Sequence, residues 1–133
     1  MFFTCVTDIQ PQMLKKIGVD TVLLDIDNTI KYTGTSRLAN GVEQWLSVLK
    51  ACGVKIVLIS NNFRGTVAKT AERLGIDCIY FSLKPSPFGY IRAKLRYNIR
   101  FKSTVVIGDQ VFTDIFGAKI CGMKSIMVKP LDL

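Results

Sequence analysis

Asp25-Ile26-Asp27-Asn28-Thr29 follows the apolar run Val22-Leu23-Leu24 and sets two carboxylates at i and i+2. In an extended segment both point to the same side, so they can face one ligand or one metal ion at the sheet edge where open α/β folds bind substrates. Taken alone, a strand ending in Asp-x-Asp is equally a turn or a helix N-cap. Three more segments place polar groups in the same kind of position. Lys55 to Ile59 is a β-rich run that ends in Ser60-Asn61-Asn62 before a helix-like segment, offering a hydroxyl and backbone amides to a phosphate. Ile79-Tyr80-Phe81 leads into Lys84-Pro85, a cation just ahead of a helix start. Thr104 to Ile107 ends in Gly108-Asp109-Gln110-Val111-Phe112-Thr113-Asp114, a second acidic pair.

The elements that must position these groups alternate strand and helix. Strands are expected near 21–25, 54–59, 78–81, 104–108 and 125–128, and helices near 10–17, 41–51, 64–74, 86–98 and 113–121. Val42, Trp45, Leu46 and Leu49 recur at i, i+3, i+4 and i+7, the stripe of a helix packed on a sheet, which makes Trp45 a core residue. Val67, Ala71 and Leu74 repeat the pattern, as do Phe88, Ile91 and Leu95. The strand segments are continuous apolar runs, as in a parallel sheet covered on both faces. Gly53, Gly75 and Gly122 stand where helix C-terminal caps are expected. The expected fold is therefore one α/β domain over residues 1–133, with a five-stranded, mostly parallel sheet and helices on both faces. Parallel strands end on one side, so the acidic pair, the serine, the lysine and the second acidic pair converge there although scattered in sequence.

Asp-x-Asp-x-Thr after the first of these strands, Ser after the second, Lys before a later helix and Gly-Asp-x4-Asp after the fourth resemble the four motifs of the haloacid dehalogenase (HAD) superfamily. The likeness covers residues 20–128 and implies a Rossmann-like core. More narrowly, Asp25 to Thr29, Trp45, Ile59 to Asn62, Lys84-Pro85 and Gly108 to Asp114 resemble the subclass IIIA phosphatases. This YqeG-like bacterial group is itself similar to mitochondrial phosphatidylglycerophosphate phosphatases. The resemblance implies a magnesium-dependent phosphomonoesterase in which Asp25 attacks phosphorus and Asp27 protonates the leaving alkoxide, then activates water. It further implies that Ser60 and the amide of Asn61 hold nonbridging oxygens, while Lys84 offsets charge on Asp25 and the phosphoryl group. Asp25, Asp109 and the backbone carbonyl of Asp27 would hold Mg²⁺, with Asp114 either a further ligand or the group that orients Asp109. Thr29 is expected to bond backbone near the nucleophile. Asp27 argues against dehalogenase and phosphonatase chemistry, which needs no acid for an alkoxide.

Absences narrow the choice. The chain has no histidine, which removes a Ser-His-Asp triad and any His-containing zinc site. No Cys-x5-Arg loop, Gly-x4-Gly-Lys-Ser/Thr or Gly-x-Gly-x-x-Gly stretch occurs. Cys5, Cys52, Cys78 and Cys121 lack Cys-x-x-Cys spacing and read as reduced and mostly structural. A response-regulator receiver would carry its phosphoacceptor Asp where this chain reads Phe81-Ser82-Leu83. The short intervals from Asp27 to Ser60 and from Ser60 to Lys84 leave no room for a cap domain. An uncapped site accepts a large phosphorylated substrate or is closed by a neighbouring subunit of a homo-oligomer, with residues 30–40, including Lys31, Tyr32 and Arg37, as local contributors to substrate choice.

The formal net charge is +8, and between residues 82 and 104 every charged side chain is basic: Lys84, Arg92, Lys94, Arg96, Arg100 and Lys102. Such a stripe is either a solvated face or a surface for anionic headgroups, so a phospholipid substrate at a membrane is one expectation and a soluble phosphate ester another. Tyr90, Tyr97 and Phe101 make no nucleic-acid motif, and nucleic acid is not an expected partner. With neither a signal peptide nor a spanning segment evident, a cytoplasmic location, peripheral to the membrane where the stripe engages it, is expected. A phosphate-binding module without turnover is the noncatalytic alternative.

Overall fold

A computed structural model describes residues 2–26, 29–30, 37–60, 65–80, 98–109 and 123–131. The expected helices near 86–98 and 113–121, and the site residues Asp27, Asn61, Lys84 and Asp114, lie outside the described residues. The described chain runs β1 (Phe2–Phe3), a 3-10 turn (Val6–Asp8), α1 (Pro11–Lys16), β2 (Thr21–Asp25), α2 (Val42–Ala51), β3 (Lys55–Ser60), α3 (Gly65–Leu74), β4 (Cys78–Tyr80), a second 3-10 turn (Phe101–Ser103), β5 (Thr104–Asp109) and β6 (Lys124–Val128).

The strands form one sheet in the order β1-β6-β5-β2-β3-β4, and every described pairing is parallel. All five expected strands are present. The sheet gains a sixth at its edge, Phe2–Phe3, paired with Met127 and Val128. Two residues carry no periodicity that sequence reading could detect, so this strand is set by its tertiary partner. Every residue of β2 is buried, as is β5 up to Asp109. This explains their unbroken apolar sequence: a central strand of a parallel sheet is covered on both faces and has no solvent side to mark with polar residues.

Local chemistry also fixes where each helix stops. Gly18, Gly53 and Gly75 all have positive φ. In each case the glycine amide bonds a carbonyl three residues back and the next residue bonds five back: Val19 to Leu14, Val54 to Leu49 and Ile76 to Ala71. These are Schellman endings, and the apolar residue after each glycine turns inward to begin the approach to β2, β3 or β4. On α2, Val42, Trp45, Leu46 and Leu49 are buried as the spacing required. Trp45 packs in the core and its Nε1 donates to the Ile9 carbonyl at 2.8 Å, tying α2 to the chain ahead of α1.

The strand order has a functional consequence. From β2 the chain proceeds outward through β3 and β4, then returns to the other side of β2 for β5 and β6. The reversal occurs at β2, and the carboxyl end of the strand at such a switch is where open α/β sheets form their ligand crevice.

Candidate active site

Asp25 is the last residue of β2, at that switch point. In the β2–β3 register Asp25 is level with Ile59, so Ser60 stands one residue farther out on β3. In the β2–β5 register Leu24 is level with Ile107, so Asp109 likewise stands one residue beyond the level of Asp25 on the other flank. Adjacent strands lie about 4.8 Å apart, so Ser60 and Asp109 bracket the end of β2 across roughly 10 Å of backbone. The structure thus brings Asp25, Ser60 and Asp109 to one sheet edge, out of sequence positions spread over most of the chain.

Their environments differ. Asp25 is 6% exposed and Ser60 1%, whereas Asp109 is only partly buried. A carboxylate as enclosed as Asp25 requires hydrogen-bond donors or cations to offset its desolvation. One donor is Thr29, whose Oγ1 lies 3.2 Å from Asp25 Oδ2. Thr29 itself is 2% exposed and is brought back by a tight turn in which the amides of Thr29 and Ile30 both bond the Ile26 carbonyl. The amide of Ile26 continues the β2–β3 ladder by bonding the Ile59 carbonyl at 3.2 Å, holding the strand end in line before that turn begins. This corrects the expectation for Thr29: its hydroxyl engages the carboxylate itself rather than backbone. The i, i+4 spacing of Asp25 and Thr29 was the available signal, but it becomes meaningful only once the chain after β2 is known to coil.

Ser60 is the last residue of β3, and α3 is described over Gly65–Leu74. The Ser60 side chain is buried beside the edge where Asp25 ends. Farther along, the Ala39 amide bonds the Ile30 carbonyl at 2.8 Å, closing the intervening excursion at its base and returning the chain to α2. Arg37, expected to influence substrate choice, lies within the segment that this bond closes, two residues before Ala39, and lines an open pocket with Asn40, Gln44 and Glu43.

Described residues of the basic stripe sit elsewhere. Arg100 and Lys102 precede β5 and therefore flank the opposite, N-terminal edge of the sheet. Five residue steps along β5 at about 3.3 Å each separate Thr104, at that edge, from Asp109 by about 17 Å. Cys5 and Cys78 are partly buried and Cys52 is exposed, and none of the three is in a disulfide. Among the described residues, no helix is long and apolar enough to cross a membrane.

The haloacid dehalogenase-like hydrolase model matches residues 6–122, most of the chain and all three described site residues. The chain belongs to the haloacid dehalogenase-like hydrolases. It is 32% identical to the probable phosphatase YqeG of Bacillus subtilis over 92% of its own length and 72% of that protein's. It is also 35% identical to the glyceraldehyde 3-phosphate phosphatase of Pyrococcus furiosus over 84% of its length, which spans 41% of that larger protein. These relatives put it among the phosphatases of the family, phosphoric monoester hydrolases. In fold it is similar to the cobalt-bound deoxy-D-mannose-octulosonate 8-phosphate phosphatase of Haemophilus influenzae, with a TM-score of 0.64 at 17% identity, covering 84% of this chain and 70% of that one.

Proposed function

We propose that this HAD-like hydrolase is a magnesium-dependent phosphomonoesterase that works through an aspartyl-phosphate on Asp25. The observation that carries the reading is the convergence of Asp25, Ser60 and Asp109 on the switch-point edge, with Thr29 bonded to the Asp25 carboxylate. The donor set fits the metal: Asp25 and Asp109 supply hard carboxylate oxygens from adjacent strands, the type that magnesium prefers, and Asp27 and Asp114 would complete its protein ligands. When bound, magnesium offsets the negative charge shared by Asp25 and the phosphoryl oxygens.

The chain's own residues then divide the chemistry. An Asp25 oxygen attacks phosphorus as the bond to the ester oxygen breaks, and Asp27 gives the departing alkoxide its proton. Asp27, now a base, removes a proton from water, which attacks the aspartyl-phosphate and regenerates Asp25. Ser60, Asn61 and Lys84 hold the transferring group's oxygens. Thr29 fixes the rotation of the Asp25 carboxylate, so that the attacking oxygen does not have to be oriented anew in each cycle.

For the substrate, we propose a primary phosphate ester on a glycerol-like alcohol, with phosphatidylglycerophosphate as the leading candidate from the subclass IIIA resemblance. A second reading, a soluble triose or sugar phosphate, is favoured by the similarity to glyceraldehyde 3-phosphate phosphatase. Magnesium-dependent phosphate release from phosphatidylglycerophosphate vesicles, glyceraldehyde 3-phosphate, sugar phosphates, nucleotides and an aryl phosphate separates them, with Asp25→Asn run in parallel. Release from the lipid far above the others supports the lipid reading. Turnover of soluble esters without lipid turnover replaces it with the second, and equal silence of both proteins on every substrate overturns the hydrolase reading in favour of a binding module.

A further inference from the structure

A second cleft lies along the N-terminal edge of the sheet, away from Asp25. It has two lobes of about 450 and about 440 Å³, and both are lined by Asp20 and Gly53, which makes them neighbours. The lobes differ in chemistry. The first has Pro11, Val19 and Val54 among its walls, whereas the second is lined by Lys55 and Arg100. The contrast has a structural origin: Val19 and Val54 are the apolar residues that follow the glycines ending α1 and α2, while Lys55 and Arg100 approach β2 from opposite sides.

We propose that this cleft binds a nucleoside phosphate, with the base in the apolar lobe and the phosphates between Lys55 and Arg100. Asp20 stands at the junction. Its amide bonds the Ser103 carbonyl and its own carbonyl accepts from the Lys55 amide, both at 2.9 Å, so its backbone is fixed to the strands on either side. The carboxylate, whose Oδ1 already accepts from the Thr21 hydroxyl at 2.8 Å, repels an anion at the junction and keeps lone pairs for further hydroxyl donors, which suits the ribose that joins base to phosphate. Gly53 leaves the wall flat: a Cβ built on it meets nothing within 4 Å, and its φ of +81° disfavours a side chain. Each lobe is within the size range of small-molecule sites, and an apolar wall with a few placed polar groups is their usual composition. The arrangement uses no glycine-rich phosphate loop, which is why the absence of such motifs does not bear on it.

The test is a titration of the protein with adenosine 5′-(α,β-methylene)diphosphate, whose P–C–P link resists hydrolysis, followed by calorimetry and by amide shifts. Saturable binding is expected, with shifts at residues 19–21, 53–55 and 98–103. Arg100→Ala and Lys55→Ala should each weaken binding by about tenfold, the scale of one lost charge-assisted hydrogen bond, while leaving phosphate release from an aryl ester unchanged. Asp25→Asn should bind normally. Lys55 is exposed at the first position of β3, so its variant keeps the test valid should Arg100→Ala lose its thermal transition. The proposal is overturned if no saturation occurs at millimolar concentrations, if shifts are confined to residues 24–30, 59–60 and 108–109, or if methylenediphosphonate without the nucleoside binds as tightly. Failure here leaves Asp25-dependent hydrolysis untouched, so the two readings stand or fall separately.

Discussion

The two edges of the sheet share the same strands and the same core, yet they carry opposite chemistry. At the carboxyl edge the described strand ends present Asp25, Ser60 and Asp109; at the amino edge they present Lys55 and Lys124, with Arg100 and Lys102 close by. Part of the amino edge has a purely structural account. The helices end there, and Lys15 and Lys16, Lys50 and Arg73 occupy their last turns, where cations offset the partial negative charge of the helix C-termini. At the carboxyl edge, burying Asp25 and Ser60 brings desolvation costs that packing alone would avoid. The difference teaches that a buried polar group at the switch point is evidence of chemistry, whereas exposed charge at the other edge must first be discounted for helix-end electrostatics.

Substitutions that remove one edge's chemistry while sparing the other's should sharpen this contrast. The largest effect is expected from Asp25→Asn: phosphate release should fall by at least about 10⁴-fold, the scale of losing a nucleophile, with the thermal midpoint kept or raised. Next, Asp109→Asn should raise the magnesium concentration for half-maximal activity by about tenfold or more, read from a metal titration at saturating substrate. Thr29→Val keeps the shape of the side chain and removes the donor to Asp25. It should lower kcat by about tenfold with little change in KM, and Thr29→Ser should recover most of the loss, a pattern that a purely structural role would not give.

The core common to both edges responds in stability instead. Leu24→Ala, at a fully buried position one residue before Asp25, should cost about 2–5 kcal/mol in denaturant unfolding. The smallest effect belongs to the amino edge: Lys124→Ala, exposed, should change stability by less than about 0.5 kcal/mol and leave phosphate release unaltered. A large loss of activity in Lys124→Ala would break the comparison, since it would couple the basic edge to the chemistry.

Much of this was legible in the sequence, for identifiable reasons. Apolar runs bounded by polar clusters located β2, β3 and β5, and glycines at helix ends located where α2 and α3 stop, because each signal reflects local sterics or burial. Parallel strand direction then implied that Asp25, Ser60 and Asp109 meet, before any register was known. What could not be read depends on tertiary partners. Phe2–Phe3 becomes a strand only because β6 offers an edge, and Thr29 reaches Asp25 only because the chain coils after β2. The basic stripe is described only at its end: Arg100 and Lys102 lie a strand length from Asp109, and Lys84, Arg92, Lys94 and Arg96 lie outside the described residues.

The central claim, that Asp25 carries the transferring phosphoryl group, is tested most directly by rapid acid quench of the enzyme during turnover of an aryl phosphate with magnesium, followed by peptide mass spectrometry. The account predicts one phosphoryl group on the peptide containing Asp25, chased away by water and absent from Asp25→Asn. Sustained turnover with no labelled peptide, or with the label on another residue and activity retained in Asp25→Asn, would contradict it.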